Sequence, residues 1–323
     1  MRAEPLVQVV RSRLVESVHL GHVAVCDAEG RVRAWVGDPG TTVFLRSAAK
    51  PLQAAVVLSL VGEALPDPLV AVCAGSHSGE PVHVTAVRAL LRRANLGASV
   101  LRCPPALPLD PRSMRAAGRR RPIYHNCSGK HAGMALACAR AGLEVASYPE
   151  PSHPLQRRIS GAVRTATGAD RVRSGVDGCG VPVHGVTLRA AATAYARLLD
   201  PERLGGLAPH VARVVTAMRA APYLVAGRGR ADTVLMRTVP GLVAKVGAEA
   251  LHCAAVPELG LGVAVKVADG GERAAAPALV RVLRLLGALD DRTVERLGGV
   301  ARRPVLGGGR VVGELVPVLA LHR

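Results

Sequence analysis

The spacing of apolar residues changes twice along this chain, and that change limits the folds it can adopt. Over residues 1–46 apolar and polar residues alternate, which is typical of β-strands. Over residues 47–230 apolar residues recur with a helical period, and the alternation returns over residues 231–323. The chain therefore predicts an α+β fold, in which both termini build an antiparallel sheet and a helical lobe is inserted between them.

The individual elements follow from the same periodicity and from the positions of proline and glycine. In the helical lobe the predicted helices are 47–63, 82–95, 130–141, 153–167, 185–199 and 207–220. In the sheet lobe the predicted strands are 6–10, 23–26, 32–36, 242–246, 250–256, 261–267 and 311–318, with a helix over 275–286. No repeat or low-complexity linker divides the chain, so we expect one domain over residues 1–323 with a cleft between the two lobes.

Composition predicts a globular protein with a substantial core, since 49% of the 323 residues are apolar. No uninterrupted apolar run reaches the roughly 18 residues of a membrane span, and the first residues lack the apolar stretch of a secretory signal. We therefore expect a cytoplasmic protein with no membrane partner. Seven widely spaced cysteines predict reduced thiols and no disulfide framework.

The net charge of +18 raises nucleic acid as a partner, because clustered cations release phosphate counterions. The distribution of the arginines argues against it. They are scattered through the predicted amphipathic helices, with the densest run at Arg119-Arg120-Arg121, and aromatic residues make up only 2% of the chain. Few side chains remain for base stacking, so we expect a small-molecule substrate and no nucleic acid.

Lysine is nearly absent, although 42 residues are lysine or arginine. The four lysines are Lys50, Lys130, Lys245 and Lys266. Arginine serves wherever only a solvated positive charge is needed, but it cannot lose its proton or offer a compact amine. The retained lysines are thus candidates for chemistry, with chance retention as the alternative for any one of them.

Lys50 follows Ser47 by three residues at a predicted strand-to-helix junction. Pro51 is tolerated only in an opening turn, so the helix should begin close to Ser47. The two side chains then share a helix face, and the helix N-terminus favours developing negative charge. A lysine with a lowered pKa can accept the serine proton, which predicts a Ser-x-x-Lys nucleophile. The alternative is an N-cap serine followed by an exposed lysine.

Thiol and imidazole groups form a second candidate site. Cys127 directly precedes Ser128–Met134, which opens a predicted helix, and Cys179 lies in a glycine-rich turn after a strand. Two thiolates are typical zinc ligands, so this pair predicts a zinc site with His125 or His131 as further candidate ligands. Buried structural cysteines are the alternative.

A loop serine and a strand lysine complete the candidates. Ser76 stands in a glycine-punctuated loop that suits either the edge of an active site or a capped helix start. Lys266 stands alone among apolar residues and either extends to solvent or points into the cleft. Penicillin-recognising enzymes combine Ser-x-x-Lys, a loop serine and a strand lysine, but their Ser-Asp-Asn and Lys-Thr-Gly signatures are absent here, which argues against a β-lactam substrate.

The most specific segments are Asn-Cys-Ser-Gly-Lys-His-Ala-Gly-Met from Asn126 and Asp-Gly-Cys-Gly from Asp177. They are accompanied by Glu16-Ser17-x-His19, Arg46-Ser47-x-x-Lys50-Pro51-x-Gln53, Ser76-His77 before Gly79-Glu80, His153-Pro154-x-Gln156, and Lys266 ahead of Asp269-Gly270. With these motifs the chain resembles the rhizobial-type, or class 3, L-asparaginases of the asparaginase II family over nearly its whole length. The resemblance implies a fold like that of glutaminases and serine β-lactamases, and it implies hydrolysis of L-asparagine to L-aspartate and ammonia.

The resemblance also implies two Ser-Lys pairs and a zinc ion. The implied pairs are Ser47 with Lys50 and Ser76 with Lys266, and the implied zinc ligands are Cys127, Lys130 and Cys179. Lysine can bind a metal only as the neutral amine, which arginine cannot supply, and this fits the retention of lysine. For the substrate, we expect Asp177 to bind the ammonium group and Arg46 or His131 to bind the carboxylate.

Two other functions stay open from the sequence. One is a different Ser-x-x-Lys acyl-transfer hydrolase, such as a glutaminase or a β-lactam or peptide hydrolase. The other is a non-enzymatic basic protein with a structural zinc ion. A homodimer is the expected assembly, because it is the commonest one for soluble proteins.

Overall fold

The larger sheet is built from both ends of the chain, as the alternation predicted. The computed structural model describes residues 2–323. The strands of this sheet are β1 (Glu4–Arg11), β2 (Leu14–Cys26), β3 (Val32–Val36), β7 (Val243–Gly247), β8 (Leu251–Val256), β9 (Leu261–Val267), β10 (Pro304–Gly307) and β11 (Arg310–Pro317). Their order is β10-β11-β1-β2-β9-β8-β7, with β3 also paired to β2, and the paired neighbours are antiparallel. The predicted α+β class is confirmed.

A second, three-stranded sheet was not predicted. Its strands are β4 (Thr42–Phe44), β5 (Arg173–Val176) and β6 (Pro182–Thr187), in the order β4-β6-β5. Residues 185–187 were predicted to be helical, but all three pair with β4, and Gly185 also pairs with β5. The helix begins after Thr187, whose hydroxyl accepts a hydrogen bond from the Ala190 N–H at 3.1 Å. This small sheet matters because the turn between β5 and β6 carries Cys179.

The helices occupy the chain between the two halves of the large sheet and part of its C-terminal region. They are α1 (Lys50–Val61), α2 (Asp67–Cys73), α3 (Pro81–Arg93), α4 (Pro111–Ala116), α5 (Ser128–Arg140), α6 (Pro154–Thr167), α7 (Leu188–Arg197), α8 (Ala208–Ala220), α9 (Pro222–Val225), α10 (Ala231–Thr238), α11 (Glu272–Leu285) and α12 (Asp291–Leu297). The short helices α2, α4, α9, α10 and α12 were not predicted. No helix within residues 2–323 is long and apolar enough to cross a membrane.

Helix α7 joins the helical lobe to the large sheet. It packs on β9 at Gly262, where an added Cβ would lie only 1.9 Å from the Ala192 carbonyl oxygen. Any side chain at this position would therefore push the helix away from the sheet. The same apolar core includes buried residues from both lobes, among them Val265 of β9 and Ala191 of α7. The close approach holds the two lobes together beside the turn that leads into α1.

Candidate functional site

The turn that carries Ser47 is tightly constrained. A short 3₁₀ turn over Arg46–Ala49 precedes α1, and Pro51 lies in the opening turn of α1, as predicted. Arg46 has a φ of 48°, a left-handed conformation that is uncommon outside glycine and persists only where the surroundings enforce it. The Tyr195 hydroxyl anchors the turn by donating a hydrogen bond of 2.8 Å to the Ala48 carbonyl oxygen. Ser47 therefore lies partly exposed on a fixed turn.

Lys50 is buried beneath this turn and pairs with Ser76. Its Nζ atom donates to the Gly75 carbonyl oxygen at 2.5 Å, to Ser76 Oγ at 2.9 Å and to the Asn126 carbonyl oxygen at 3.5 Å. None of these bonds is to Ser47 Oγ, which the spacing had placed within reach. Burial lowers the pKa of Lys50 below its ordinary value, and the nearby Cys127 thiol only partly opposes this. A lysine in this environment releases its proton more readily than a lysine in water.

The loop that carries Ser76 is held from the other side by the last residue of α9 and the residue after it. The Ser76 N–H donates to the Val225 carbonyl oxygen at 2.7 Å, and the Ser78 N–H donates to Ala226 at 2.8 Å. Gly75 is required here, because an added Cβ would lie 2.8 Å from the same Val225 oxygen. The loop is thus a fixed edge of the site.

The predicted pair of Ser76 with Lys266 does not form. The Lys266 Nζ atom instead donates to the Glu249 carbonyl oxygen, and to Val267 at 2.7 Å. The Glu249 bond ties the end of β9 to the turn between β7 and β8, while Ser76 takes its lysine partner from α1. The amine of Lys266 therefore bonds backbone oxygens at the end of β9 and does not contact Ser76.

A different strand lysine lies closer to the nucleophile turn. Lys245 is fully buried on β7, the strand in which an added Cβ at Gly247 would meet the Leu45 carbonyl oxygen at 2.8 Å. Its Nζ atom donates to Asp232 Oδ2 at 3.3 Å and to the Val246 carbonyl oxygen at 2.8 Å. Burial lowers the pKa of Lys245 to about 8, against the pull of Asp232 and with a further lowering by the charge of Lys50.

Sequence reasoning assigned no role to Lys245, although it is one of the four retained lysines. The signal that could have found it is its place on a short strand that ends in Gly247, because a glycine in a strand marks a close approach of backbone. Asp232, on α10, also accepts a hydrogen bond of 3.0 Å from His252. The three side chains form a buried charged cluster at the β7 edge of the sheet.

Thiol and amine groups meet in a second cluster between α5 and the β5–β6 turn. Cys127 is the N-cap of α5, and Lys130 lies in its first turn. The Lys130 Nζ atom donates to Cys179 Sγ at 2.9 Å, and that thiol donates to Asp177 Oδ2 at 3.0 Å. Ligand atoms of Cys127, Asp177 and Cys179 all lie within 4.8 Å of one another, the one such group found among residues 2–323.

The thiols and the amine of this cluster shift one another's pKa values. The hydrogen bond with Cys179 lowers the pKa of the Cys127 thiol well below its usual value, and nearby Lys50 and Lys130 lower it further against the effect of burial. The same bond raises the pKa of Cys179. Burial disfavours a charged Lys130, but the thiols of Cys127 and Cys179 outweigh it and raise its pKa. Two sulfur donors, an amine and a carboxylate are a donor set that suits zinc once the protons are released.

Neither of the two histidines considered as ligands belongs to the group of ligand atoms that lie within 4.8 Å of one another, although His125 adjoins Cys127. His125 Nδ1 accepts a hydrogen bond of 3.0 Å from the Cys127 N–H. His131 Nδ1 is 2.6 Å from the Tyr148 hydroxyl, with the two rings edge to face. Burial lowers the pKa of His131 well below its usual value, so the ring is neutral and offers no positive charge to a substrate carboxylate.

The other two residues expected to bind substrate are bonded to each other. Arg46 Nε donates to Asp177 Oδ1 at 2.5 Å. Since Asp177 Oδ2 receives the Cys179 thiol, both carboxylate oxygens already have partners within the protein. A substrate ammonium group would have to displace one of them.

Comparison with known proteins gives a match to the family model described as L-asparaginase II over residues 7–317. None of the curated protein sequences matches the chain. Similar solved structures include a β-lactamase from Mycobacterium bovis, at 18% identity and TM-score 0.42 over 82% of this chain and 94% of that one. Another is a β-lactamase described as putative, from Bacteroides dorei, at 13% identity and TM-score 0.44 over 82% and 93%. A third is Mglu in its native form, at 17% identity and TM-score 0.38 over 90% and 69%.

Proposed function

Because this chain belongs to the L-asparaginase II family, we propose that it is an amidohydrolase that converts L-asparagine to L-aspartate and ammonia. Membership supports amide hydrolysis, and the arrangement around Ser47 and Lys50 supports a serine nucleophile. The observation that carries the proposal is the buried Lys50 amine. It lies one helical turn after Ser47, its pKa is lowered by burial, and it is hydrogen-bonded to Ser76 at 2.9 Å.

In the proposed reaction the Ser47 hydroxyl attacks the carbonyl carbon of the substrate amide. The neutral amine of Lys50 accepts the hydroxyl proton as the new C–O bond forms. Ser76, bonded to the same amine, passes its proton to the departing nitrogen and takes the proton held by Lys50 in return, so the C–N bond breaks and ammonia leaves. Water then attacks the acyl-enzyme, which releases L-aspartate and restores Ser47 and Lys50.

Developing charge on the carbonyl oxygen needs hydrogen-bond donors held in place before the reaction. The backbone N–H of Ser47 lies at the beginning of the turn that leads into α1, where helix dipoles favour negative charge. The left-handed Arg46 immediately before it fixes the direction of that peptide group. We therefore assign the Ser47 N–H as one donor of the oxyanion site.

Zinc is part of the proposal, with Cys127, Lys130 and Cys179 as the residues that would hold it. The donor set supports this, because two thiols and an amine converge in a buried cluster. Bound zinc would favour the deprotonated thiols and amine. The ion would tie the start of α5 to the β5–β6 turn and so keep Asp177 and Arg46 in place beside Ser47.

Ammonia release from L-asparagine by the wild-type protein and by Ser47→Ala tests the proposal. L-Glutamine and a chromogenic β-lactam are run beside it, and zinc content is measured on the same preparations. We expect ammonia from L-asparagine with wild type, at least about a 10³-fold lower rate with Ser47→Ala, and equal zinc in both.

Each contrary outcome removes a defined part of the proposal. No ammonia from wild type with L-asparagine would overturn the substrate, and preferential turnover of glutamine or the β-lactam would establish the other acyl-transfer function. An unchanged rate in Ser47→Ala would overturn the nucleophile. If the protein binds zinc but hydrolyses none of the three substrates, the non-enzymatic function with a structural zinc ion is favoured.

A further inference from the structure

A groove on the surface of the helical lobe is lined by five arginines and by no acidic residue. It lies between the C-terminal half of α3 and residues 119–123, and its volume is about 630 Å³. We call it the arginine groove, after its charged lining residues Arg88, Arg92, Arg119, Arg120 and Arg121. We propose that it binds a small polyphosphate anion. The inference does not depend on amide hydrolysis, because the arginine groove contains none of the residues of the proposed active site.

The arginines of this groove lack the carboxylate partners that other surface arginines have. None of the five forms an ion pair within residues 2–323. Arg93, on the same helix but outside the groove, pairs with Glu63 at 3.4 Å. A second surface cavity, of about 510 Å³, combines three arginines with Glu29 and Asp170. The positive charge of the arginine groove is therefore left for an anion from solution to neutralise.

The dipole of α3 accounts for only part of this charge. A helix C-terminus favours cations in its last turn, which holds Arg92 and Arg93. Arg88 lies one turn earlier, and like charges four residues apart on a helix repel each other. Residues 119–121 belong to no helix. The helix dipole therefore does not explain why five arginines line one groove.

Arg121 is fixed in the wall of the groove and has an unused donor. Its backbone N–H donates to the Ala106 carbonyl oxygen at 2.9 Å, and the Ala106 N–H donates back to Arg121 at 3.1 Å. The side-chain Nε atom is buried and has no hydrogen-bond partner among residues 2–323. A buried donor without an acceptor costs free energy, so an anion that supplies the acceptor would be bound favourably at this wall.

The chemistry of the groove favours several phosphates on one small molecule. Guanidinium groups are planar forks that bind phosphate oxygens in pairs, and two walls of such groups can hold neighbouring phosphates at once. The apolar side chains of Leu91, Leu96 and Ile123 also line the groove and offer no competing acceptor. Its volume lies within the range of small-ligand sites, about 300–1,000 Å³. No aromatic side chain is among its lining residues to stack a base, which argues against single-stranded nucleic acid.

Isothermal titration calorimetry of the full-length protein with inorganic triphosphate, at physiological ionic strength, tests the proposal. We expect one saturable site per chain in the wild type. Arg88→Gln/Arg92→Gln removes both guanidinium groups of the α3 wall and should weaken binding by at least about tenfold, because charge-assisted hydrogen bonds to phosphate are lost. Arg120→Gln, in the opposite wall, should also weaken it. Inorganic orthophosphate should bind more weakly than triphosphate, because it cannot reach both walls.

Arg292→Gln/Arg296→Gln is the matched control. These two arginines are also exposed and one turn apart, but they lie on α12, outside the groove. The control loses the same charge as the groove variant. Its affinity should stay within about twofold of wild type, because salt screens the effect of charges far from the ligand. Circular dichroism spectra show whether all the variants are folded.

Three results would overturn the inference. One is the absence of saturable binding by the wild type. Another is an equal loss of affinity in the groove and control variants, which would show attraction to the overall charge of +18. The third is tighter binding of a single-stranded oligonucleotide than of triphosphate, lost in the same groove variants, which would assign the groove to nucleic acid. None of these measurements involves ammonia release, so a negative result leaves the proposed function in place.

Discussion

Lys50 and Lys130 are both buried, with 1% and 3% of their surface exposed, yet their pKa values move in opposite directions. Lys50 donates its hydrogen bonds to neutral groups, two carbonyl oxygens and the Ser76 hydroxyl, and burial lowers its pKa although the charge of Cys127 partly opposes this. The thiols next to Lys130 raise its pKa in spite of burial. The charge of the neighbours therefore decides whether a buried lysine acts as a base or as a cation.

Lys245 lies between these two cases. Asp232 is its counter-ion, but complete burial and the charge of Lys50 still lower its pKa to about 8. The charge of Lys245 in turn holds the pKa of Asp232 below its usual value, although burial alone would raise it. The counter-ion Asp232 thus limits the fall in the pKa of Lys245 without preventing it.

Removal of the Lys50 amine is the strongest test of the difference between Lys50, the proposed base, and Lys130, the proposed metal ligand. Lys50→Met should lower kcat/KM for ammonia release by about 10²–10⁴-fold, the usual contribution of a general base. Lys50→Arg should fail equally, because a guanidinium keeps its proton. Zinc content is measured on both variants; a lower rate with unchanged zinc shows that the loss is in catalysis and not in metal binding.

Lys266→Met is the matched control for this experiment, because Lys266 bonds only backbone oxygens away from Ser76. We expect its rate to stay within about twofold of wild type. An active Lys50→Arg variant would contradict the role of a neutral amine, and an inactive, folded Lys266→Met variant would restore the role predicted from the sequence.

The second test concerns the counter-ion of Lys245. Asp232→Ala should lower the free energy of unfolding by about 3–5 kcal/mol, because it leaves a buried amine without its partner. The double variant Asp232→Ala/Lys245→Met should recover part of that loss, since no charge is then buried. Urea unfolding followed by circular dichroism measures both.

Glu258→Ala removes an exposed carboxylate and should stay within about 0.5 kcal/mol of wild type. The single variant Lys245→Met completes the cycle; if the double variant loses as much free energy of unfolding as the two single variants together, Asp232 and Lys245 are not coupled.

The third and smallest effect is a displacement of the pH profile. The reaction requires the neutral amine of Lys50, and the neutral fraction rises with pH through the pKa of that group. Since burial lowers this pKa, kcat/KM should rise with pH to a midpoint below the ordinary lysine value of 10.5. A rise centred at 10.5 would show that Lys50 does not differ from a lysine in water, and activity that falls over this range would exclude it as the base.

The sequence predicted the start of α1 well, because local signals determine it. Pro51 and the three-residue spacing from Ser47 act within one turn, and the structure has the turn where they indicated. Which strand lysine lies near the site could not be predicted in this way. Lys245 and Lys266 both stand on strands, and which one lies nearer to the site depends on the order β9-β8-β7. Alternation along one strand contains no information on that order.

Short elements were missed for a related reason. Strand β4 has three residues and pairs with β6 far along the chain, so no period can develop within it. Asp177 was predicted to bind the substrate ammonium group, but its partners Arg46 and Cys179 depend on the β5–β6 turn approaching the start of α1. Contacts between distant segments determine those roles, and the local pattern of residues does not reveal them.

The burial of three of the four lysines also determines how the protein can be labelled. Lys50, Lys130 and Lys245 are at most 3% exposed, whereas Lys266 is partly exposed at the end of β9. An amine-reactive ester needs an accessible neutral amine, and burial already lowers the pKa of Lys266. Among the lysine side chains, mild acylation should therefore couple a dye or a solid support through Lys266, away from the paired side chains of the site. Among the lysine side chains, such a protein offers a single attachment point without mutagenesis.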